Sequence, residues 1–142
     1  MELSTRVVMA PLTRSRAPGG IPNEMMARYY AQRANPATGA SLIISEGAGI
    51  SARSFGYAGV PGIYNEEHAA GWKLVTDAVH EQGGRIFCQL WHVGRVSHTA
   101  CSPRRAPPLR RRPFAPKRKP TCPLPAAPPA AAACARPASR AS

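Results

Sequence analysis

Ile86-Phe87-Cys88-Gln89-Leu90-Trp91-His92-Val93-Gly94-Arg95 decides the reading of this chain. The stretch follows a helical pattern and the helix stop Gly83-Gly84. It is apolar through most of its length and closes on an amide, an indole, an imidazole and a guanidinium. Arg85 to Trp91 therefore reads as a buried strand whose carboxyl end carries polar and aromatic groups, which is where α/β barrels present their chemistry. Within it, Cys88 reads as a plain buried thiol.

Working outward from that strand, Asn65 is a helix N-cap with Glu66 and Glu67 in the first turn. Trp72, Val75, Ala78 and Val79 supply the apolar face of this helix. Before it lies a Gly-rich loop from Gly47 to Tyr64. Ser41 to Glu46 reads as a second buried strand. Asn23 caps an earlier helix that ends at Asn35-Pro36, with Met25, Met26, Tyr29 and Tyr30 as packing residues. Arg6 to Ala10 is β-branched and apolar, stops at Pro11, and reads as a strand buried on both faces. The order is strand, helix, strand, helix, strand, with strand starts roughly 35 and 44 residues apart, the spacing of parallel strands joined by crossover helices. Three strands cannot close on themselves, and a barrel of this kind needs eight. The fold class is α/β: residues 1–100 are expected to form a fragment of a (β/α)8 TIM barrel, about three strands and two helices.

From about residue 101 the composition changes. The first hundred residues hold nine basic and all seven acidic residues; residues 101–142 hold ten basic and no acidic ones. The net charge of +12 thus belongs mostly to the second segment, and the first gives no electrostatic reason to expect nucleic acid or acidic lipid. Ser102 to Ser142 contains eleven prolines and no glycine, so it is expected to be a disordered Pro/Ala/Arg-rich tail with too little apolar area to fold. A shifted reading frame in GC-rich DNA produces the same abrupt change. Arg110-Arg111-Arg112 to Lys117-Arg118-Lys119 would meet phosphates only non-specifically, and Pro123 to Pro128 holds a P-x-x-P spacing that chance supplies in so proline-rich a stretch. Cys88, Cys101, Cys122 and Cys134 show no zinc-site spacing, and no metal site is expected. No apolar run reaches the roughly 18 residues of a membrane span. Neither a signal-peptide core nor a peroxisomal terminal tripeptide is present, so the expected compartment is the cytoplasm.

Several of these motifs together resemble the old yellow enzyme family. Arg6-Val7-Val8-Met9-Ala10-Pro11-Leu12-Thr13-Arg14 is similar to its first strand and loop, and Ile86 to Arg95 to its third strand. Tyr57 to Tyr64 and Trp72-Lys73 fit as well, and the plant 12-oxophytodienoate reductase branch matches best. The motifs occur in the family's order across roughly residues 3–99. The resemblance implies a (β/α)8 barrel that holds FMN and reduces the C=C bond of α,β-unsaturated carbonyls, oxylipin-like enones among them, with electrons from NADPH.

Carried over residue by residue, Pro11, Leu12 and Thr13 match the first flavin-contacting loop, where a hydroxyl donor tunes the cofactor. Gly47 falls where the family usually has Ala against the flavin, a change expected to lose a methyl contact and block nothing. Gln89 matches the amide that pairs with the pyrimidine edge, and a strand-end amide needs such partners. Trp91 matches a ring on the substrate side. Other readings stand beside these. Thr13 caps a turn, Gly47 is a turn residue, Gln89 bonds neighbouring backbone, Trp91 belongs to the core, and Arg95 is a structural ion-pair partner. The resemblance also implies a His/His or His/Asn pair for the substrate carbonyl, a proton-donating Tyr and a phosphate grip. None has a counterpart in these residues, so no catalytic residue is assigned and the chain by itself is expected to be inactive. The alternatives are a basic nucleic-acid or Pro-motif interaction protein, or a pseudogene product without function.

Overall fold

Two asparagines start the two helices of the computed structural model, which describes residues 2–35, 37, 39–98 and 101. Asn23 Oδ1 accepts from the Met26 amide at 3.2 Å and opens helix α1, Glu24–Ala31. Asn65 Oδ1 accepts from the His68 amide at 2.8 Å and opens helix α2, Glu66–Glu81. Each cap satisfies an amide that the first turn leaves without an intrahelical partner. At the far end of α2, Gly83 takes a left-handed φ of 80°. Its amide and that of Gly84 return to the His80 and Val79 carbonyls at 2.8 and 3.2 Å, which closes the last turn. Helix α1 ends at Ala31, short of the expected Asn35-Pro36, because Arg33 and Ala34 bond three residues back and tighten the chain.

Strands β1 (Val8–Met9), β2 (Leu42–Gly49) and β3 (Arg85–Trp91) form one parallel sheet in the order β1-β2-β3. The register pairs Val8 with Leu42, Leu42 with Arg85 and Gly49 with Trp91. Helices α1 and α2 pack together over one face, and the core there joins Met26, Tyr30, Ile43, Trp72, Val75 and Val79. Ile86 and Cys88 pack against it from β3. This is the strand–helix unit of a (β/α)8 barrel, as the spacing implies.

Burial, expected for all three strands and on both faces for the first, holds only for β2, the strand with a neighbour on each side. β1 and β3 are the sheet edges. Val7 and Val8 are about half exposed (56% and 48%), as are Phe87 (54%) and Leu90 (67%). For the same reason Cys88 is half-buried rather than fully buried. Met25, read as a packing residue, faces outward at 63% exposure, while Met26 and Tyr30 fill the core. The expected loop from Gly47 is also corrected. β2 runs on to Gly49, whose amide and carbonyl bond Pro61 and Ile63 across the returning segment at 2.8 and 2.9 Å. The proposed tail, with its basic clusters, its P-x-x-P spacing, Cys122 and Cys134, lies outside the described residues.

Candidate functional site

The carboxyl end of the sheet brings the predicted residues together. β1 runs into Pro11, Leu12 and Thr13, all exposed. Gly47 lies directly opposite Gln89 in the register, and Gly49 opposite Trp91. Because Ile86 and Cys88 face the helices, strand alternation puts Phe87, Gln89 and Trp91 on the other face, the interior side of a barrel. Gln89 is exposed there. Thr13, next to the Arg14 amide that bonds Glu46, thus lies at the same end of the sheet as Gln89 and Gly47, and the side chains there include a hydroxyl and an amide. That donor and acceptor set fits the edge of a flat heterocycle.

Trp91 sits over Gly47. A Cβ on Gly47 would fall 2.5 Å from the six-membered ring of Trp91 and 2.9 Å from its next ring carbon. An alanine here, which the family usually has, would require the indole to move. Tyr57 stacks on the indole, with ring centroids 5.8 Å apart and planes 16° from parallel. His92 and Arg95 follow the end of β3. His92 Nδ1 accepts from the Gly94 amide at 2.8 Å, which shapes a turn, and Arg95 lies in the 3-10 turn Gly94–Val96.

Between Ile44 and Gly47 the register slips, so Ser45 and Glu46 together oppose Cys88. Such bulges re-aim side chains at the rims of barrels. Ser45 Oγ accepts from the Gln89 amide at 3.1 Å and donates to the Glu46 carbonyl at 2.8 Å. Glu46 itself is buried, 1% exposed. Its amide donates to the Tyr30 hydroxyl at 2.8 Å, and that hydroxyl lies 3.3 Å from Oε1 as donor. Oε2 accepts from the Arg14 amide at 3.1 Å. Burial pushes the Glu46 carboxyl up, against the Arg14 and Ser15 amides and the Tyr30 hydroxyl, which favour its charge. Burial also pushes the Tyr30 phenol well above its usual range and raises the Cys88 thiol. Sequence reasoning assigned Glu46 only to a strand and Tyr30 only to packing. The available signal was a carboxylate inside an otherwise apolar strand.

His68, on the first turn of α2, is 2% exposed and lies edge-on to Tyr64 at 4.5 Å. Burial lowers its pKa from the ordinary 6.5. The folded chain therefore binds this proton less readily than the unfolded chain. Stability from His68 is full above about pH 6.5 and falls as pH drops below it. Urea midpoints of the wild type and His68→Asn across pH 5–8 should converge as pH falls. Parallel curves would show that His68 is not the group responsible.

A parallel sheet with crossover helices on one face and a polar strand-end rim on the other defines a segment of a (β/α)8 barrel. Residues 1–127 match the NADH:flavin oxidoreductase / NADH oxidase family, and the chain belongs to it. It is 53% identical over 107 residues to 12-oxophytodienoate reductase 7 of Oryza sativa subsp. japonica, covering 75% of this chain and 26% of that protein. Against 12-oxophytodienoate reductase 2 of Arabidopsis thaliana the identity is 47%, covering 75% and 28%. Among solved structures, morphinone reductase in complex with tetrahydroNAD superposes with a TM-score of 0.70 at 52% identity, covering 75% of this chain and 28% of that one. The old yellow enzyme homologue from Zymomonas mobilis gives 0.65 at 48% identity, covering 70% and 27%. The chain therefore spans about a quarter of the length of these relatives.

Proposed function

We propose that residues 1–100 form the flavin-edge segment of an FMN-dependent ene-reductase that uses NADPH to reduce α,β-unsaturated carbonyls of the oxylipin type. The observation that carries this reading is the pairing of Gly47 with Gln89 on one rim with the exposed Pro11-Leu12-Thr13 loop. Gln89 would pair with the pyrimidine edge, Thr13 would donate to the flavin, and Trp91, braced by Tyr57, would line the substrate side. When bound, FMN supplies the hydride that reduces the electron-poor C=C bond. The names of the relatives support the substrate class, and the tetrahydroNAD complex of morphinone reductase supports a nicotinamide reductant. A cytoplasmic, small-molecule enzyme is consistent with the described helices, none of which is long and apolar enough to cross a membrane.

Much of the affinity of such sites comes from a phosphate grip, which the resemblance places near strands seven and eight. This chain, incubated with FMN and desalted, is accordingly expected to show no flavin absorbance and no reductase turnover. The assignment of the rim is tested in a chimera that joins these residues to the remaining barrel of a relative. There Gln89→Ala leaves flavin polar atoms unpaired and should weaken FMN by about 1–3 kcal/mol. Thr13→Ala should mainly shift the flavin potential and slow reduction by NADPH. Negligible effects from both substitutions would sink the assignment.

A further inference from the structure

We propose that Glu46 is the positioning residue of the flavin edge, the single side chain that fixes the Thr13 loop against the strand ends carrying Gly47 and Gln89. The inference rests on the reading of that rim as the flavin site.

Each of the three segments is tied to Glu46 by a peptide bond or a hydrogen bond, the Gln89 strand through Ser45. Arg14, whose amide donates to Oε2 at 3.1 Å, directly follows Thr13. Gly47 directly follows Glu46 in β2. The Gln89 amide bonds Ser45 Oγ, and that hydroxyl donates to the Glu46 carbonyl. Tyr30 reaches across from α1 and holds both the Glu46 amide and Oε1.

The loop shows that it is held rather than merely resting. Ser15 has φ 54°, alone among the described non-glycine residues in the left-handed region. Such a conformation persists only where its surroundings over-determine it. Successive backbone N–H groups around a left-handed residue form an anion-binding concavity, and here the Arg14 and Ser15 amides both act on the Glu46 carboxylate. On its other side Ser15 meets Gly59, where a Cβ would come within 2.7 Å of the Ser15 carbonyl oxygen. The Gly59 carbonyl accepts from the Ala17 amide at 2.9 Å. A carboxylate below and a glycine backbone above thus clamp residues 14–17. A buried carboxylate is an expensive choice for packing alone, and its oxygens go to the loop and to the tyrosine that aims them.

The test is amide hydrogen exchange by NMR on the full chain, followed by FMN titration of the chimera that joins these residues to the remaining barrel. In Glu46→Ala the Arg14 amide should exchange roughly tenfold or more faster, while the Val75 and Val79 amides inside α2 keep their wild-type rates. Glu46→Gln retains one acceptor oxygen and should restore part of the protection. Unchanged protection of Arg14 in Glu46→Ala overturns the proposal. Should that variant fail to fold, Glu46→Gln and Tyr30→Phe decide, since the first removes the charge and one acceptor oxygen, the second removes the hydroxyl that holds the carboxylate, and both should speed Arg14 exchange. Wild-type protection in both again overturns it. With FMN added to the chimera that carries the wild-type residues, the Thr13 and Gln89 amides should shift together. In Glu46→Ala the Thr13 shift should be lost at the same FMN concentration while Gln89, held by Ser45, retains its own. A surviving Thr13 shift overturns the positioning role. If FMN shifts neither amide in the chimera, the flavin reading falls, and the exchange rates alone decide whether Glu46 sets the loop.

Discussion

Trp72→Ala is expected to leave the chain largely unfolded at room temperature. The indole is 6% exposed and sits where α2 meets both α1 and the returning segment after β2. Its ring lies 6.5 Å from that of Tyr30, and its Nε1 donates to the Gly62 carbonyl at 2.9 Å. Removing a buried aromatic of this size costs about 3–5 kcal/mol. Orphaning a buried carbonyl adds about 1–3 kcal/mol, and Gly62 is itself buried. Whole domains hold only about 5–15 kcal/mol, and a three-stranded sheet with exposed edges belongs at the low end of that range. Trp72→Phe should retain most of the packing and lose only the bond, a cost of about 1–2 kcal/mol. Near-UV circular dichroism and urea melts of the two variants separate the contributions. A shift below about 1 kcal/mol for Trp72→Ala would show that the helix–loop junction does not depend on the indole.

Most of this fold was legible because its signals are local. Asn23 and Asn65 cap the helices as their side-chain chemistry requires, Gly83 stops α2, and Arg85–Trp91 has the predicted bounds. Burial misled where it depends on a neighbour rather than on the strand. Val8 and Leu90 have the composition of interior residues but lie on strands with one open edge. The Glu46 node was not legible for a related reason. A carboxylate at the end of an apolar strand has no pattern that names Tyr30, sixteen residues away in sequence, or Arg14, thirty-two away, as its partners. The bulge that turns it inward has no sequence signature at Ser45-Glu46 either. Likewise no sequence pattern at Gly47 names the side chain that covers it. Only the placement of Trp91 shows that this chain has used that space for a ring.

Gly71→Ala is expected to destabilise the chain by about 1–3 kcal/mol, the usual range for overpacking, although alanine is the better helix former. A Cβ at Gly71 would lie 2.5 Å from the Pro22 carbonyl oxygen and 3.0 Å from Pro22 Cδ. The first of these is backbone and cannot rotate away. Pro22 directly precedes Asn23, the cap of α1, so relief of the clash has to move the start of α1 away from α2. Intrinsic propensity favours the substitution by about 1 kcal/mol, and the contact should outweigh it. Ala70→Gly, one residue earlier on the exposed face of α2, isolates the propensity effect and should cost about 1 kcal/mol with no local consequence. Gly71→Ala should carry a consequence at a distance. Moving α1 draws the Tyr30 hydroxyl off Glu46, so the Glu46 and Arg14 amides should exchange faster than in Ala70→Gly at matched stability. A stabilised Gly71→Ala protein, or one whose Arg14 amide is as protected as the wild type, would show that the two helices have slack at this contact. The packing of α1 on α2 would then not reach Glu46 and the Arg14 loop.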